Sequence, residues 1–283
     1  MLLSYAKNEW VSSETFGPSF REDPVGLIRG YRVFTACRTV NGVIFQKQAH
    51  VDRLFDSAKS IYMELPHTPE ELASLMDEAV AKNAGTGDLL LEVIYTGGLA
   101  ESNGTAPSGM ANLLIWVLPL KTPAKTWYDE GVHLATFSHQ RPYPEVKLMF
   151  YLGGVIAHQT VVKEQGADMP LFVSPDTGHI LEGSTFNLFC VRDGVLYTPP
   201  LDGRVLKGIT RAVVLSVAAS LGIPICEAPI LISDIAGFQE VFLTSSTRTV
   251  VPVRQVDTHA FSPDGAVTRR IMAYVMETYG LVS

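Results

Sequence analysis

Cysteine is scarce in this chain, with three in 283 residues. Cys37, Cys190 and Cys226 lie too far apart for a disulfide framework or a metal-ligand pairing, so no metal is expected and a reducing, cytoplasmic setting is. Positive charge is short as well: 22 Lys and Arg stand against 29 Asp and Glu, a net charge of −7, and no basic run breaks that balance. A nucleic-acid partner is therefore not expected, and an anionic ligand would have to be held by a few placed donors. No apolar run reaches the roughly 18 residues that span a bilayer, so no membrane partner is expected either. Met1–Trp10 turns polar at Lys7, Asn8 and Glu9, unlike the apolar stretch of a secretory signal. What is present, 47% hydrophobic and 18% charged residues, suits a globular chain long enough for two modest domains.

Local signals divide the chain. Asn41-Gly42 sits between apolar runs at 34–40 and 43–49 and predicts a hairpin. Residues 51–63 read as a helix. Thr68-Pro69-Glu70-Glu71 is a capping box with proline at the first helical position, opening a second helix that ends near Gly85. Residues 89–96 and 112–118 read as buried strands. Lys121–Lys125, with Pro123 inside it, breaks the pattern, which predicts a first domain over 1–120, a linker over 121–126 and a second domain over 127–283. In the second domain a helix is expected over 149–165, stopped by Gly166, with strands at 133–137, 171–174, 187–191, 195–198 and 240–244. Asp193-Gly194 marks another hairpin, and helices are expected at 210–221 and 267–279. Mixed helices and strands in two blocks indicate an α+β or α/β (mixed) fold.

The chemistry concentrates between Leu181 and Arg211. Leu181-Glu182-Gly183-Ser184-Thr185-Phe186-Asn187 puts a carboxylate and an amide at the mouth of an apolar strand. Leu206-Lys207-Gly208-Ile209-Thr210-Arg211 is a glycine turn feeding an amphipathic helix, whose first N–H groups can hold a phosphate. A carboxylate and a phosphate cup point to a phosphorylated cofactor with a basic ring nitrogen, and pyridoxal 5'-phosphate satisfies both. That cofactor also needs a lysine amine. Most lysines here read as surface charges, but Lys147 lies in the apolar run Val146-Lys147-Leu148-Met149-Phe150-Tyr151-Leu152.

These segments resemble the class IV aminotransferases, pyridoxal-phosphate enzymes of fold type IV, over about Gly30 to Val253. Glu182-Gly183-Ser184 with Asn187 is similar to the family's Glu-Gly-Ser-x-x-Asn. Lys147, followed by Phe150-Tyr151-Leu152 and later by Gly166-Ala167-Asp168, resembles its lysine segment, with Phe150 in place of the usual Asn. His50, Arg53-Leu54 and Ser57-Ala58 match the His-x-x-Arg-Leu-x-x-Ser-Ala helix. Gly208-Ile209-Thr210 and Thr244-Ser245-Ser246-Thr247 match its two phosphate turns. The resemblance implies a small N-terminal α/β domain and a larger C-terminal pseudo-barrel domain that anchors the cofactor. It makes Lys147 the catalytic residue, Glu182 the partner of the pyridinium nitrogen, and Asn187 its support. It assigns the phosphate to Arg53, Ile209, Thr210 and Ser246, and the phenolic oxygen to Tyr151. A homodimer with pockets completed across the interface is implied too.

The substrate side departs from the family. Thr35 stands where many transaminases have Glu, and Glu92 and Gly97 stand where many members have basic residues. Tyr31, Arg38, Tyr95, Arg141 and Thr247 are candidates for the pocket. The expected reaction is amino transfer between a small amino acid, branched-chain amino acids among them, or a related amine, and a 2-oxo acid. Two rivals stand beside it: an aminodeoxychorismate lyase-like enzyme that releases pyruvate, and a silent cofactor-binding homologue.

Overall fold

The computed structural model describes residues 1–280. Its two compact units are Met1–Lys121 together with Val146–Phe150, and Thr122–Glu145 together with the chain from Tyr151 onward. The boundary at 121/122 falls in the proline-marked stretch. The five-residue return of Val146–Phe150 to the first unit has no signal in local periodicity.

The first unit is a six-stranded antiparallel sheet with helices over one face. In chain order it contains β1 (Leu3–Ala6), β2 (Glu9–Ser12), α1 (Pro24–Arg29), β3 (Arg32–Val40), β4 (Val43–Ile44), α2 (Lys47–Ser60), α3 (Pro69–Lys82), β5 (Leu89–Thr96) and β6 (Asn112–Pro119). The strands run β2-β1-β6-β5-β3-β4. Alternation sends Val33, Cys37, Leu91, Val93, Tyr95, Ile115 and Val117 into a core with Leu54 and Ala58 of α2 and Leu72 and Met76 of α3. Each large apolar side chain among them contributes about 1.5–3 kcal/mol on burial. The capping box forms as expected, with Thr68 Oγ1 accepting from Glu71 N and Glu71 Oε2 from Thr68 N.

Two boundaries differ from the sequence reading. The hairpin's second strand stops at Ile44, because Gln46 takes a left-handed φ of 53° and α2 begins at Lys47 rather than at residue 51. The helix expected from Met149 begins at Leu152, because Met149 N donates to Arg32 O and Leu148 bridges Val33, so residues 146–150 lie beside β3.

The second unit holds α4 (Lys125–Asp129), β7 (Val132–Ser138), α5 (Leu152–Gln165), β8 (Met169–Val173), β9 (Ile180–Gly183), β10 (Asn187–Arg192), β11 (Val195–Thr198), α6 (Ile209–Ser220), β12 (Ile225–Glu227), β13 (Glu240–Ser245), β14 (Thr249–Val256), β15 (His259–Ala260) and α7 (Ala266–Tyr279), with a 3-10 turn at Ile232–Gly237. Its sheet runs β12-β11-β10-β13-β14-β7-β8-β9, with β15 on β14. The order dictates its shape. Between β10 and β9 lie five strand spacings, roughly 24 Å if the sheet were flat. Yet only residues 184–186 join them, and four Cα steps reach at most about 15 Å. The sheet must therefore curl, and the curl brings Glu182 on β9 beside the first residue of β10, Asn187. The strand centre is dry: Leu188, Phe189, Phe242 and Leu243 are fully buried, and the Phe189 and Phe242 rings stack at 5.0 Å.

Candidate active site

The first unit presents Lys147 by its backbone. Lys147 O accepts from Phe34 N at 3.0 Å, and Lys147 N donates to Ser57 Oγ at 3.2 Å. With its backbone N–H and C=O both engaged, the residue carries its Nζ 4.7 Å from the centroid of the Phe34 ring. Ser57, quoted above only as part of a helix motif, thus has a positioning role that residue type alone did not disclose.

Arg53 lies one turn before Ser57 on α2. Its Nη2 donates to Thr35 Oγ1 at 2.9 Å, and Thr35 Oγ1 lies 2.6 Å from His50 Nδ1. A guanidinium only donates, so the Thr35 oxygen accepts from Arg53, and the same hydroxyl is hydrogen-bonded to His50 Nδ1. Burial, followed by the nearby charges of Arg53 and Lys147, holds the imidazole well below its usual range. Thr35 is therefore the joint of a three-residue relay, where the family's usual Glu would add a charge.

Three pocket candidates of this unit separate. Tyr95 points to the helix side of the sheet, wholly buried, with its hydroxyl 3.1 Å from His67 Nδ1. It is a core tyrosine, on the face opposite Phe34, because it is an odd step along the strand from Ile94. Tyr31 donates to Ile61 O at 2.8 Å, tying β3's entry to the end of α2. Arg38 is buried on the Phe34 side, and its Nε donates to Thr39 O.

In the second unit Glu182 is 5% exposed and surrounded by donors. Its Oε1 accepts from Arg141 Nε at 2.9 Å and Nη2 at 2.7 Å, and its Oε2 from Leu206 N at 3.1 Å and Asn187 Nδ2 at 3.3 Å. Arg141, expected at the substrate, is thus engaged with Glu182 and with Pro144 O. Asn187 Nδ2 also donates to Leu206 O at 3.0 Å, so one amide fastens the carboxylate to the glycine turn. At that turn a Cβ on Gly208 would overlap Asn187 Oδ1. Gly208 O takes the first helical hydrogen bond, from Ala212 N, so the N–H groups of Ile209 and Thr210 precede the helical ladder of α6. Ser246 and Thr247 lie half-buried in the turn between β13 and β14. Tyr151 occupies the position just before α5.

These features fit a phosphorylated aromatic ligand. Close approach of backbone at Gly208, helix-start donors and a buried carboxylate are what such a molecule needs. Directly across from Asn187, the buried Thr244 Oγ1 has no hydrogen-bond partner among the described residues, a polar atom left over by the protein itself.

Comparison with known proteins bears this out at the level of the family. Residues 32–256 match the profile of amino-transferase class IV. A putative branched-chain-amino-acid aminotransferase of Methanocaldococcus jannaschii is 33% identical over 253 residues, covering 87% of this chain and 86% of the relative. A D-alanine aminotransferase of Listeria monocytogenes is 29% identical, covering 88% of each. Among solved structures, an aminotransferase from Brucella abortus bound to the cofactor pyridoxal phosphate superposes with a TM-score of 0.86 at 25% identity, over 99% of each chain. The chain belongs to the class IV aminotransferase family, with its fold type IV architecture. It is a pyridoxal-phosphate-dependent transaminase.

Proposed function

We propose that Lys147 is the catalytic lysine of an amino transfer from an amino acid with an apolar stem to a 2-oxo acid. The observation that carries this reading is the pinning of the Lys147 backbone between Phe34 N and Ser57 Oγ, which leaves only the side chain to move. Lys147 Nζ bonds the cofactor in the resting enzyme. Released by the incoming amine, it would take the proton from substrate Cα as general base and, as general acid, would deliver it to the cofactor's C4′ carbon. Bound pyridoxal phosphate supplies the electron sink for the charge that this proton removal leaves at Cα.

The other residues hold and orient. Glu182 keeps a proton on the ring nitrogen, with Arg141, Asn187 and Leu206 N fixing its direction. Arg53, the N–H groups of Ile209 and Thr210, and the Ser246 hydroxyl take the phosphate. Tyr151 meets the phenolic oxygen, and Thr247 the substrate carboxylate. The active form we propose is a homodimer: Leu152, Val155 and Ile156 of α5, and Leu99 and Met110 in the first unit, are large apolar side chains about half or more exposed, as expected of surfaces that a second copy covers. The three cysteines are all free thiols, which supports a cytoplasmic location.

Borohydride reduction of the yellow holoenzyme should leave the cofactor's mass on the peptide that contains Lys147, and Lys147→Ala should lack the bound cofactor's visible absorbance. Label recovered on another lysine, or an unchanged spectrum in Lys147→Ala, would overturn the assignment.

A further inference from the structure

The sheet of the first unit has a second face, opposite its helices, and one row across that face is unusual. Ala36 on β3, Glu92 on β5 and Trp116 on β6 are direct cross-strand neighbours. All three are half-exposed. The next row along holds Phe34, Ile94 and Leu114. Lys147 Nζ lies over the Phe34 ring, so the lysine and the Glu92 row share this side of the sheet.

The Glu92 carboxylate makes no hydrogen bond and no ion pair among the described residues, although every neighbouring strand is in place. Trp116, across from it, could donate, yet its indole N–H is buried without an acceptor. The Arg38 Nε, one row further along β3, is turned to Thr39 O. Burial raises the Glu92 carboxyl above its usual range, and the charge of Lys147 works against that rise. A half-buried carboxylate without a donor is costly, and a surface that keeps one is built for a ligand that brings the donor. Ala36, directly across from Glu92, is small. The walls are aromatic: Phe34 on one side, and Trp116 with Phe16 stacked on it at 6.1 Å on the other. Carboxylate and aromatic faces together recognise organic cations.

We propose that Glu92 selects the substrate, accepting an amino donor whose apolar stem ends in a cation, an amine or a guanidinium, and rejecting a second carboxylate. This rests on the transaminase reading above. The distal cation of such a donor would supply the partner that the surrounding strands do not. A dicarboxylic acid would set like charges together on this face.

The test is calorimetric binding of three acids that cannot form a bond with the cofactor, 4-guanidinobutanoate, hexanoate and glutarate, to wild-type holoenzyme, Glu92→Gln and Glu92→Arg. The wild type should bind 4-guanidinobutanoate about tenfold more tightly than hexanoate, with glutarate weakest. Glu92→Gln should erase the gap between the first two, and Glu92→Arg should place glutarate first. Steady-state kcat/KM for cationic against neutral donors should shift in the same order. An unchanged ranking in both variants, with cofactor absorbance and melting temperature intact, overturns the role of Glu92 alone. A wild type that binds no pyridoxal phosphate overturns the transaminase reading and this proposal with it.

Discussion

Thr35 shows how much chemistry a single hydroxyl can organise. It accepts from Arg53 and is hydrogen-bonded to His50, so one oxygen ties the direction of the guanidinium to that of the imidazole. Thr35→Val keeps the shape and removes both bonds. We expect a roughly five- to tenfold weaker pyridoxal phosphate affinity, measured by titrating the apoenzyme, from loss of about 1 kcal/mol or slightly more of orientation. Thr35→Ser should restore most of it. At this scale Lys147, Glu182, Arg53 and Asn187 stand out in the sequence because each belongs to a patterned segment, and their roles are the proposal made above. The bond of Arg141 to Glu182 was not legible, because the two are 41 residues apart and nothing near Arg141 announces a carboxylate. Tyr95 was misplaced for a related reason: a one-residue step along a strand exchanges pocket for core.

Among the elements, the junction of β10 with α6 is the most constrained. Gly208 has φ −70° and ψ 135°, which any residue adopts, so its need for glycine is one of space alone. Gly208→Ala should push Asn187 away, cost about 1–3 kcal/mol of stability, and weaken cofactor binding. Adding Asn187→Ala should return part of the lost melting temperature, so that the double variant is more stable than the sum of the single ones. A strictly additive loss would show that the two residues do not press on each other. Elements with local signatures were readable in advance: the capping box of α3 and the Asp193-Gly194 turn between β10 and β11 formed where the sequence put them. The non-helical stretch 146–150 was read in part as helix, since its partners outside the stretch sit at residues 32–34 and 57, beyond any local window.

For the molecule as a whole, His50 couples stability to pH. Its folded-state pKa lies below that of the unfolded chain, so below about pH 6.5 the unfolded state binds a proton that the folded state refuses. Stability contributed at neutral pH is therefore lost as pH falls through the unfolded pKa, until the folded histidine also titrates. The melting temperature should drop between pH 7 and pH 5, and His50→Gln should flatten that slope. An equal slope in the variant would place the titrating group elsewhere. Proline and polar residues near 121 betray the first crossing, whereas the return at Val146 is written in tertiary contacts only.

That return has a consequence for how the enzyme comes into being. The chain crosses between its units three times, after residues 121, 145 and 150. The bond that seats Lys147 closes a loop of 90 residues back to Ser57. Contacts of such sequence separation form late, because the entropy of closing the loop must be met before they give any return. A nascent chain, or one truncated at the first crossing, has the β3 edge but not the strand that docks on it. The amine we propose as catalytic is held in place only after synthesis has passed it and the chain has doubled back.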